Sequence, residues 1–262
     1  MTVRSAQPEA PPVLPLAPGR RSGPGWGRSA RRRLVRLIVA LAVAGVLVPL
    51  AGVAALWPLT PAVRDAEQRI TARLEQHQAR DPHALGGPDK VGVAVVATED
   101  SRFLSHHGLD AVGVLRAGWT KLQGSQRDAG GATLDQQLAK NLYTADTVSA
   151  KVEQIELSFK LEAQYSKPQI LEMYLAEVYF GHGFYGLPAA ARGLFGVAPT
   201  ELSWAQASLL AGLVQAPSAY DPYRHQDLAK QRQRHVLERL VATHILSQAQ
   251  ADAAHADPLG LR

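Results

Sequence analysis

The stretch TEDSRFLSHHG, residues 98–108, follows directly on an apolar run, Val91 to Ala97. It places two acids, Glu99 and Asp100, against what the run predicts to be part of a core. An acid at the edge of a core is costly unless it is paired, and that cost is often tolerated where a reaction needs the group. On this stretch alone a structural reading is favoured, because Thr98 can cap a helix and two acids suit its first turn.

The positive charge of the chain is concentrated at its N-terminus. Residues 1–57 carry eight arginines and a single acid, a net charge of +7, whereas the remaining 205 residues carry −2. The part that follows therefore lacks the positive field of a nucleic-acid-binding domain. The chain has no cysteine, which excludes disulfide frameworks and thiolate metal sites.

A membrane span is predicted after the basic tail. Residues 1–33 indicate a disordered cytoplasmic tail, and residues 34–57 indicate an uncleaved transmembrane signal anchor. The run LIVALAVAGVLVPLAGVAALW that ends it has 21 residues without charge, and as a helix it would extend roughly 31 Å, close to a bilayer core. All eight arginines precede this run, so the positive-inside rule predicts an extracytoplasmic remainder. A signal peptide cleaved at GVAAL is the alternative, and the length of the run disfavours it.

Beyond the span, the sequence predicts one mainly α extracytoplasmic domain. Residues 58–85 indicate a stalk helix and linker, 86–245 the domain itself, and 246–262 a C-terminal helix and tail. Apolar residues recur at helical spacing in six stretches, namely Asp110–Leu122, Leu134–Tyr143, Val148–Tyr165, Pro168–Phe180, Ser203–Val214 and Asp227–Thr243. The run Val91–Val96 is compatible with either a strand or a buried helix turn.

Two further stretches carry candidate chemistry. GGATLDQQLAKN, residues 130–141, is a glycine-rich loop that leads into a helix with Gln136, Gln137 and Lys140 near its start. A helix start beside a lysine suits an anion, although a Gln-Gln pair on a solvated face is the usual alternative. RQRHVLERL, residues 232–240, is predicted to turn its valine and leucines inward and its arginines outward, which is a structural pattern.

Other common site types find no support in the sequence. His106, His107 and His182 do not form an i, i+4 histidine pair, and no HExxH is present, which disfavours zinc. Phosphate-loop and dinucleotide fingerprints are absent. Without a Ser-x-x-Lys, a penicillin-type acylating serine is excluded.

Taken in order, these stretches resemble the peptidoglycan glycosyltransferase family, also called transglycosylases (glycosyltransferase family 51). The resemblance is to the monofunctional form or to the front domain of bifunctional penicillin-binding proteins, and it covers roughly Val91 to Leu240. The second, fourth and fifth motifs appear as GGATLDQQLAKN, ILEMYLAEVYFG and RQRHVL. The first motif, a Glu-Asp pair followed by Phe and His-x-Gly, appears as Glu99, Asp100, Phe103, His106 and Gly108.

The resemblance implies a lysozyme-like, mainly α fold with a smaller lobe near the membrane. It also implies polymerisation of lipid II into β-1,4-linked glycan, with inversion and release of polyprenyl pyrophosphate. A sugar hydroxyl that attacks an anomeric carbon must lose a proton, and by resemblance Glu99 is the general base. Its place against the apolar run would raise its proton affinity. The implied partners are lipid II, the growing glycan, the bilayer and a transpeptidase or cell-wall synthesis complex, with no nucleic acid.

The leaving pyrophosphate gathers negative charge and needs cations around it. The resemblance assigns one set of residues to substrate and pyrophosphate binding, namely Lys140, Lys151, Arg116, Thr133, Gln136, Gln137, Asp100 and His106. It also associates a divalent cation, Mg or Mn, with the pyrophosphate, although no protein ligand for a metal is predicted.

Several positions depart from the family pattern. Ala150 and Gln154 stand where the third motif has Arg and a second Glu, Ala132 replaces Ser in the second motif, and Ala176 replaces Asn in the fourth. The residue that matches the general base is present, whereas fewer of the charged residues expected around the leaving pyrophosphate are present. An active enzyme is favoured over a catalytically weak relative that binds lipid II or glycan and scaffolds cell-wall synthesis, and a soluble hydrolase is a distant third.

Overall fold

The structure is a computed structural model, and it describes residues 32–37, 39, 40, 43, 51, 52, 54, 55, 57–77, 90–122, 132–143 and 148–262. The chain divides into two compact units, residues 1–52 and 53–262, and residues 32–37 of the first unit are helical. Nearly all of the predicted tail and half of the predicted span lie outside the described residues. Within the described residues, no helix has both the length and the apolar character that crossing a bilayer requires.

The second unit is helical, which confirms the predicted mainly α fold. Its described residues form helices α1 (Ala66–Gln76), α2 (Lys90–Glu99), α3 (Ala111–Leu122), α4 (Leu134–Tyr143), α5 (Val148–Gln164), α6 (Lys167–Glu177), α7 (Leu187–Phe195), α8 (Trp204–Leu213), α9 (Gln226–Ala242) and α10 (Gln248–Ala256). The same residues include 3-10 turns at Phe103–Ser105 and Pro199–Glu201 and two isolated β-bridges, but no strand. The strand alternative for Val91–Val96 is therefore wrong, because these residues lie within α2.

One predicted helix is shorter than expected. The pattern from Pro168 predicts a helix to Phe180, but α6 ends at Glu177 because Val178 takes an extended backbone conformation. A loop begins there and runs to Gly186, whose N–H donates to the Val178 carbonyl at 2.9 Å. Gly186 has a φ of 79°, which a glycine adopts at little cost.

The core is formed by two groups of helices. In the first, α8 is apolar on every side and packs against α2 and α9, with Val91 and Leu210 fully buried. In the second, α4, α5 and α6 pack together, and α1, the predicted stalk helix, packs on α6 through Ile70 and Leu74. Contacts between α2 and α6 join the two groups, so the end of α2 lies close to the helices of the second group.

Candidate active site

Glu99 is the last residue of α2 and Asp100 comes directly after it, so the two acids lie at the end of a helix and not at its start. The structural reading of a helix start is therefore wrong. A carboxylate at the C-terminal end of a helix is unfavourable, because that end of the helix dipole is negative. Arg232 of α9 compensates, since its Nη2 donates to Glu99 Oε1 at 2.8 Å. The two side chains are only 6% and 14% exposed for Arg232 and Glu99, so water and salt screen this ion pair weakly.

The position of Arg232 corrects the predicted orientation of α9, whose arginines were expected to face outward. Arg234 is exposed, but Arg232 lies on the buried face of the helix together with Ala229 and Val236. These residues are three positions before and four positions after Arg232, so they share its helix face. The spacing to Val236 was the signal in the sequence, because an arginine on a buried face needs an acidic partner.

Asp100 and His106, both predicted to bind substrate, are buried side by side. His106 Nε2 lies 2.9 and 3.0 Å from the two carboxylate oxygens of Asp100. Asp100 also accepts the N–H of Leu134, the first residue of α4, at 3.0 Å. In this arrangement the pair joins the loop after α2 to the start of α4, with 6% of each residue exposed.

Thr133 and Gln136 hold the first turn of α4 against the loop of the first motif. Thr133 Oγ1 accepts the N–H of Gln136 at 3.3 Å, which caps the helix. The same hydroxyl donates to the Gly108 carbonyl at 2.8 Å, and Gln136 Nε2 donates to that carbonyl at 3.2 Å. Both side chains are buried.

Gln137 points toward α6, where Tyr174 donates its hydroxyl hydrogen to Gln137 Oε1 at 2.8 Å. Burial raises the pKa of Tyr174 well above its ordinary value, and the negative charges of Glu99 and Glu177 add to that shift. Tyr174 therefore stays protonated and donates.

Lys140 of α4 and Lys151 of α5 form a lysine pair. Lys151 Nζ donates to Gln136 Oε1 at 3.0 Å. Partial burial lowers the pKa of Lys151, and the positive charge of Lys140 lowers it further. Two neighbouring cations favour the binding of an anion close to both. The structure thus brings Lys140, Lys151 and Gln136 together, as the resemblance implies.

Arg116 and Gln154, the remaining predicted site residues, lie in different environments. Arg116 is exposed on α3, and in the described part of the chain no hydrogen bond links its side chain to the other predicted residues. Gln154 is buried on α5 with 7% of its surface exposed, and Ala150 of the same helix is also buried. Ala176 is buried near the end of α6. Three of the four departures from the family motifs therefore lie inside the fold.

A second ionic group, the buried ionic cluster, consists of Asp135 of α4, Glu162 of α5 and Lys167 of α6. Lys167 Nζ contacts Glu162 Oε1 and lies 3.4 Å from Asp135 Oδ2. Burial raises the pKa of Asp135 to about 7; Lys167 opposes this shift and Glu162 adds to it. No pattern in the sequence pointed to these three residues, because their charges lie on three separate helices and share no spacing.

The described residues include one group that could gather around a cation, namely Asp100, His106 and Asp135, whose ligand atoms lie within 4.8 Å of one another. All three side chains are buried, and the Asp100 carboxylate already bonds to His106 and to the Leu134 N–H. A magnesium ion that serves a pyrophosphate keeps open positions for phosphate oxygens and water. These residues therefore do not fit the divalent cation predicted at the pyrophosphate.

Comparison with known proteins gives a consistent result. A family model described as Transglycosylase matches residues 67–241. A candidate transglycosylase of Cupriavidus necator is 38% identical over 177 residues, which cover 67% of this chain and 76% of that protein.

Longer proteins match over part of their length. Penicillin-binding protein 1A of Vibrio cholerae is 37% identical over 195 residues, 74% of this chain but only 22% of that protein. A crystal structure of penicillin-binding protein 1A from Haemophilus influenzae is 29% identical with a TM-score of 0.36, and the match covers 49% of this chain and 16% of that one.

Proposed function

This chain belongs to the transglycosylase family of peptidoglycan glycosyltransferases, and on that premise we propose that it polymerises lipid II into β-1,4-linked glycan at the bacterial cytoplasmic membrane. The anomeric centre of the donor is inverted and polyprenyl pyrophosphate is released. In this proposal the N-terminus is cytoplasmic, residues 34–57 anchor the chain, and the helical unit lies outside with a lysozyme-like lobe and a smaller membrane-proximal lobe.

The observation that carries the proposal is the Glu99–Arg232 pair. The acceptor sugar must lose its hydroxyl proton while the oxygen attacks the anomeric carbon of the donor. Glu99 lies at the end of α2 with 14% of its side chain exposed, and the Arg232 guanidinium holds its Oε1 at 2.8 Å. Arg232 also fixes the direction of the carboxylate, because the helix packing around it allows little movement of either side chain.

The lysine pair supports the donor side of the reaction. As the bond to the anomeric carbon breaks, negative charge grows on the pyrophosphate oxygens. Lys140 and Lys151 are both exposed, so both can face a substrate anion. One-step attack from the face opposite the pyrophosphate would invert the anomeric centre.

The surface of α3 supports a position at the membrane. Apolar side chains on one of its faces are exposed by 49% to 84%, namely Val112, Leu115, Trp119 and Leu122. Leu104, just before the helix, is 78% exposed. Exposed apolar residues at helical spacing are typical of a helix that lies in a lipid interface. Such a surface would hold the site near the polyprenyl chain of lipid II.

The segment that follows the predicted span is fastened to α5. Lys160 Nζ is buried and donates to the carbonyls of Trp57 and Thr60 at 2.8 and 2.9 Å. It also lies 5.1 Å from the centre of the Trp57 ring. Because α5 carries Lys151, this contact supports a fixed distance between the membrane end of the chain and the lysine pair.

The test is the substitution Glu99→Gln in the full-length protein, with labelled lipid II in detergent and gel analysis of the glycan. Glutamine keeps the size of the side chain but cannot take the proton, so we expect a loss of about 10²–10⁴-fold in polymerisation rate. The matched control is Glu172→Gln, an exposed acid on α6, which should polymerise like the wild type.

The outcomes separate the two candidate functions. Loss of product in Glu99→Gln alone supports the enzyme. Wild-type rates in Glu99→Gln would rule out the proposed base. A wild-type protein that binds lipid II without making glycan would instead indicate the binding and scaffolding function.

A further inference from the structure

The two neighbouring glutamines of α4 differ in how their amide groups are used. Gln136 is almost fully buried, and both ends of its amide are engaged within the protein. Its Oε1 accepts from Lys151 Nζ at 3.0 Å, and its Nε2 donates to the Gly108 carbonyl at 3.2 Å. A buried amide in this state has little remaining capacity to bond to a ligand.

The Gly108 carbonyl gives Gln136 a fixed support. It also accepts from Thr133 Oγ1 at 2.8 Å and from Ser158 Oγ at 3.0 Å, so it joins the first-motif loop to α4 and α5. Gly108 has a φ of 77°, and a Cβ built there would lie 2.9 Å from Ser158 Oγ. A side chain at this position would push the loop away from α5, so the close approach of the carbonyl depends on glycine.

Gln137 has a different environment. Its Oε1 accepts from Tyr174, a buried tyrosine that must act as the donor. Its amide nitrogen donates to no other residue in the part of the chain that the structure describes, and the side chain is only half-buried. The amide nitrogen of Gln137 therefore keeps the capacity to donate a hydrogen bond to a substrate oxygen.

We propose that Gln136 is a positioning residue, which holds the Lys151 ammonium in place from the Gly108 carbonyl and does not itself contact the substrate. Gln137 is the member of the pair that contacts substrate. The proposal rests on the proposed function, in which Lys151 faces the leaving pyrophosphate. The sequence assigns substrate binding to both Gln136 and Gln137, whereas this proposal assigns it to Gln137 and gives Gln136 the positioning of Lys151.

The geometry also predicts how the chemistry of Lys151 depends on position 136. A hydrogen bond to a charged group favours the charged form. The charged neighbour that the structure places against Lys151 is Lys140, which opposes the ammonium. Without the Gln136 oxygen, the Lys151 ammonium loses its hydrogen-bond acceptor but is still repelled by the charge of Lys140. Lys151 should therefore release its proton more readily.

The first test measures the reactivity of Lys151 in the full-length protein, with trace acetic anhydride at pH 8 and mass spectrometry of the Lys151 peptide. Only the free amine reacts, so acylation in Gln136→Met should be about tenfold faster than in the wild type, the scale set by one hydrogen bond to a charged group. Gln136→Glu retains an acceptor and adds a negative charge, so acylation should be slower than in the wild type. Gln137→Met, the matched control, should react like the wild type.

The second test is a double-mutant cycle on the rate of lipid II polymerisation with Gln136→Met and Lys151→Met. If Gln136 acts only through Lys151, the double variant should be no slower than Lys151→Met alone. Gln137→Met combined with Lys151→Met should instead give multiplied losses. Thermal melting of each variant checks that the fold is retained.

Additive losses for Gln136 and Lys151, or an unchanged rate of Lys151 acylation in Gln136→Met, would overturn the proposal. Acylation of Lys151 requires no turnover, so this measurement keeps its meaning even if the chain makes no glycan. Failure of the proposed function and failure of the positioning role are thereby distinguished.

Discussion

The buried ionic cluster and the lysine pair are built on the same two helices, α4 and α5, but they treat charge in opposite ways. In the cluster, Lys167 of α6 contacts Glu162 and approaches Asp135, so opposite charges meet inside the fold. In the pair, Lys140 and Lys151 carry the same charge, and burial together with the charge of Lys140 lowers the pKa of Lys151. Charges that serve stability are matched within the chain, whereas like charges kept together near a surface suit an incoming anion.

The largest effect is expected for Lys167→Met. Removal of this ammonium leaves Asp135 and Glu162 buried without their cation, and breaking a buried pair from one side typically costs about 3–5 kcal/mol of unfolding free energy. Urea unfolding followed by circular dichroism measures the loss. If the variant is destabilised by less than about 1 kcal/mol, the cluster does not stabilise the fold as proposed.

The substitution Lys140→Met is expected to show the reverse pattern. Its polymerisation rate should fall about 10²–10³-fold, the loss typical when one group that stabilises developing negative charge is removed. Its unfolding free energy should stay within about 0.5 kcal/mol of wild type, because the side chain is exposed. Lys167→Met and Lys140→Met are matched controls for each other, and similar stability losses in both would remove the contrast between the two regions.

The smallest effect concerns the dependence of stability on pH. The pKa of Asp135 is raised from 3.8 to about 7, so between these values the folded chain binds a proton that the unfolded chain has released. Stability from this group is present below about pH 4 and is lost as the pH rises toward 7, by at most about 1.4 kcal/mol for each pH unit.

The variant Asp135→Asn removes this titration. Asparagine does not titrate, so the variant should lose less stability than wild type between pH 4 and 7 in urea unfolding. Burial also raises the pKa of Glu177 to about 7, but Glu177 is present in both proteins and cancels in the difference. Parallel stability curves for the two proteins would mean that Asp135 does not titrate in this range.

Much of the helical layout could be predicted from the sequence. The patterns behind α4 and α5 are long and strongly periodic, and the structure has these helices within one residue of the predicted bounds. The short run Val91–Val96 stayed ambiguous, because a fully buried segment is apolar in every direction and has no period to read. The end of α6 was missed because the glycine turn that stops it lies several residues further on.

The candidate site was predictable to a different degree. The ordered motifs pointed to Glu99, Lys140 and Lys151 as the residues of the proposed reaction, because each motif is a short pattern of residue types along the chain. They did not identify Arg232 as the partner of Glu99. The two residues are 133 positions apart in the sequence, and only the fold brings their side chains within 2.8 Å. The motifs also gave Gln136 and Gln137 the same role, because adjacent identical residues cannot be told apart without their surroundings.

The sequence by itself therefore determined the mainly α class, the family and the identity of the acid and the lysines proposed to act on the substrate. These properties depend on local periodicity and on residue types at short spacing, which a linear chain displays directly. Only the tertiary structure decided which charges are matched, which glutamine is saturated and where Asp135, Glu162 and Lys167 meet. Such partners come from separate helices, and the free energy of a charge depends on burial and on neighbours that only the packed fold brings within a few ångströms.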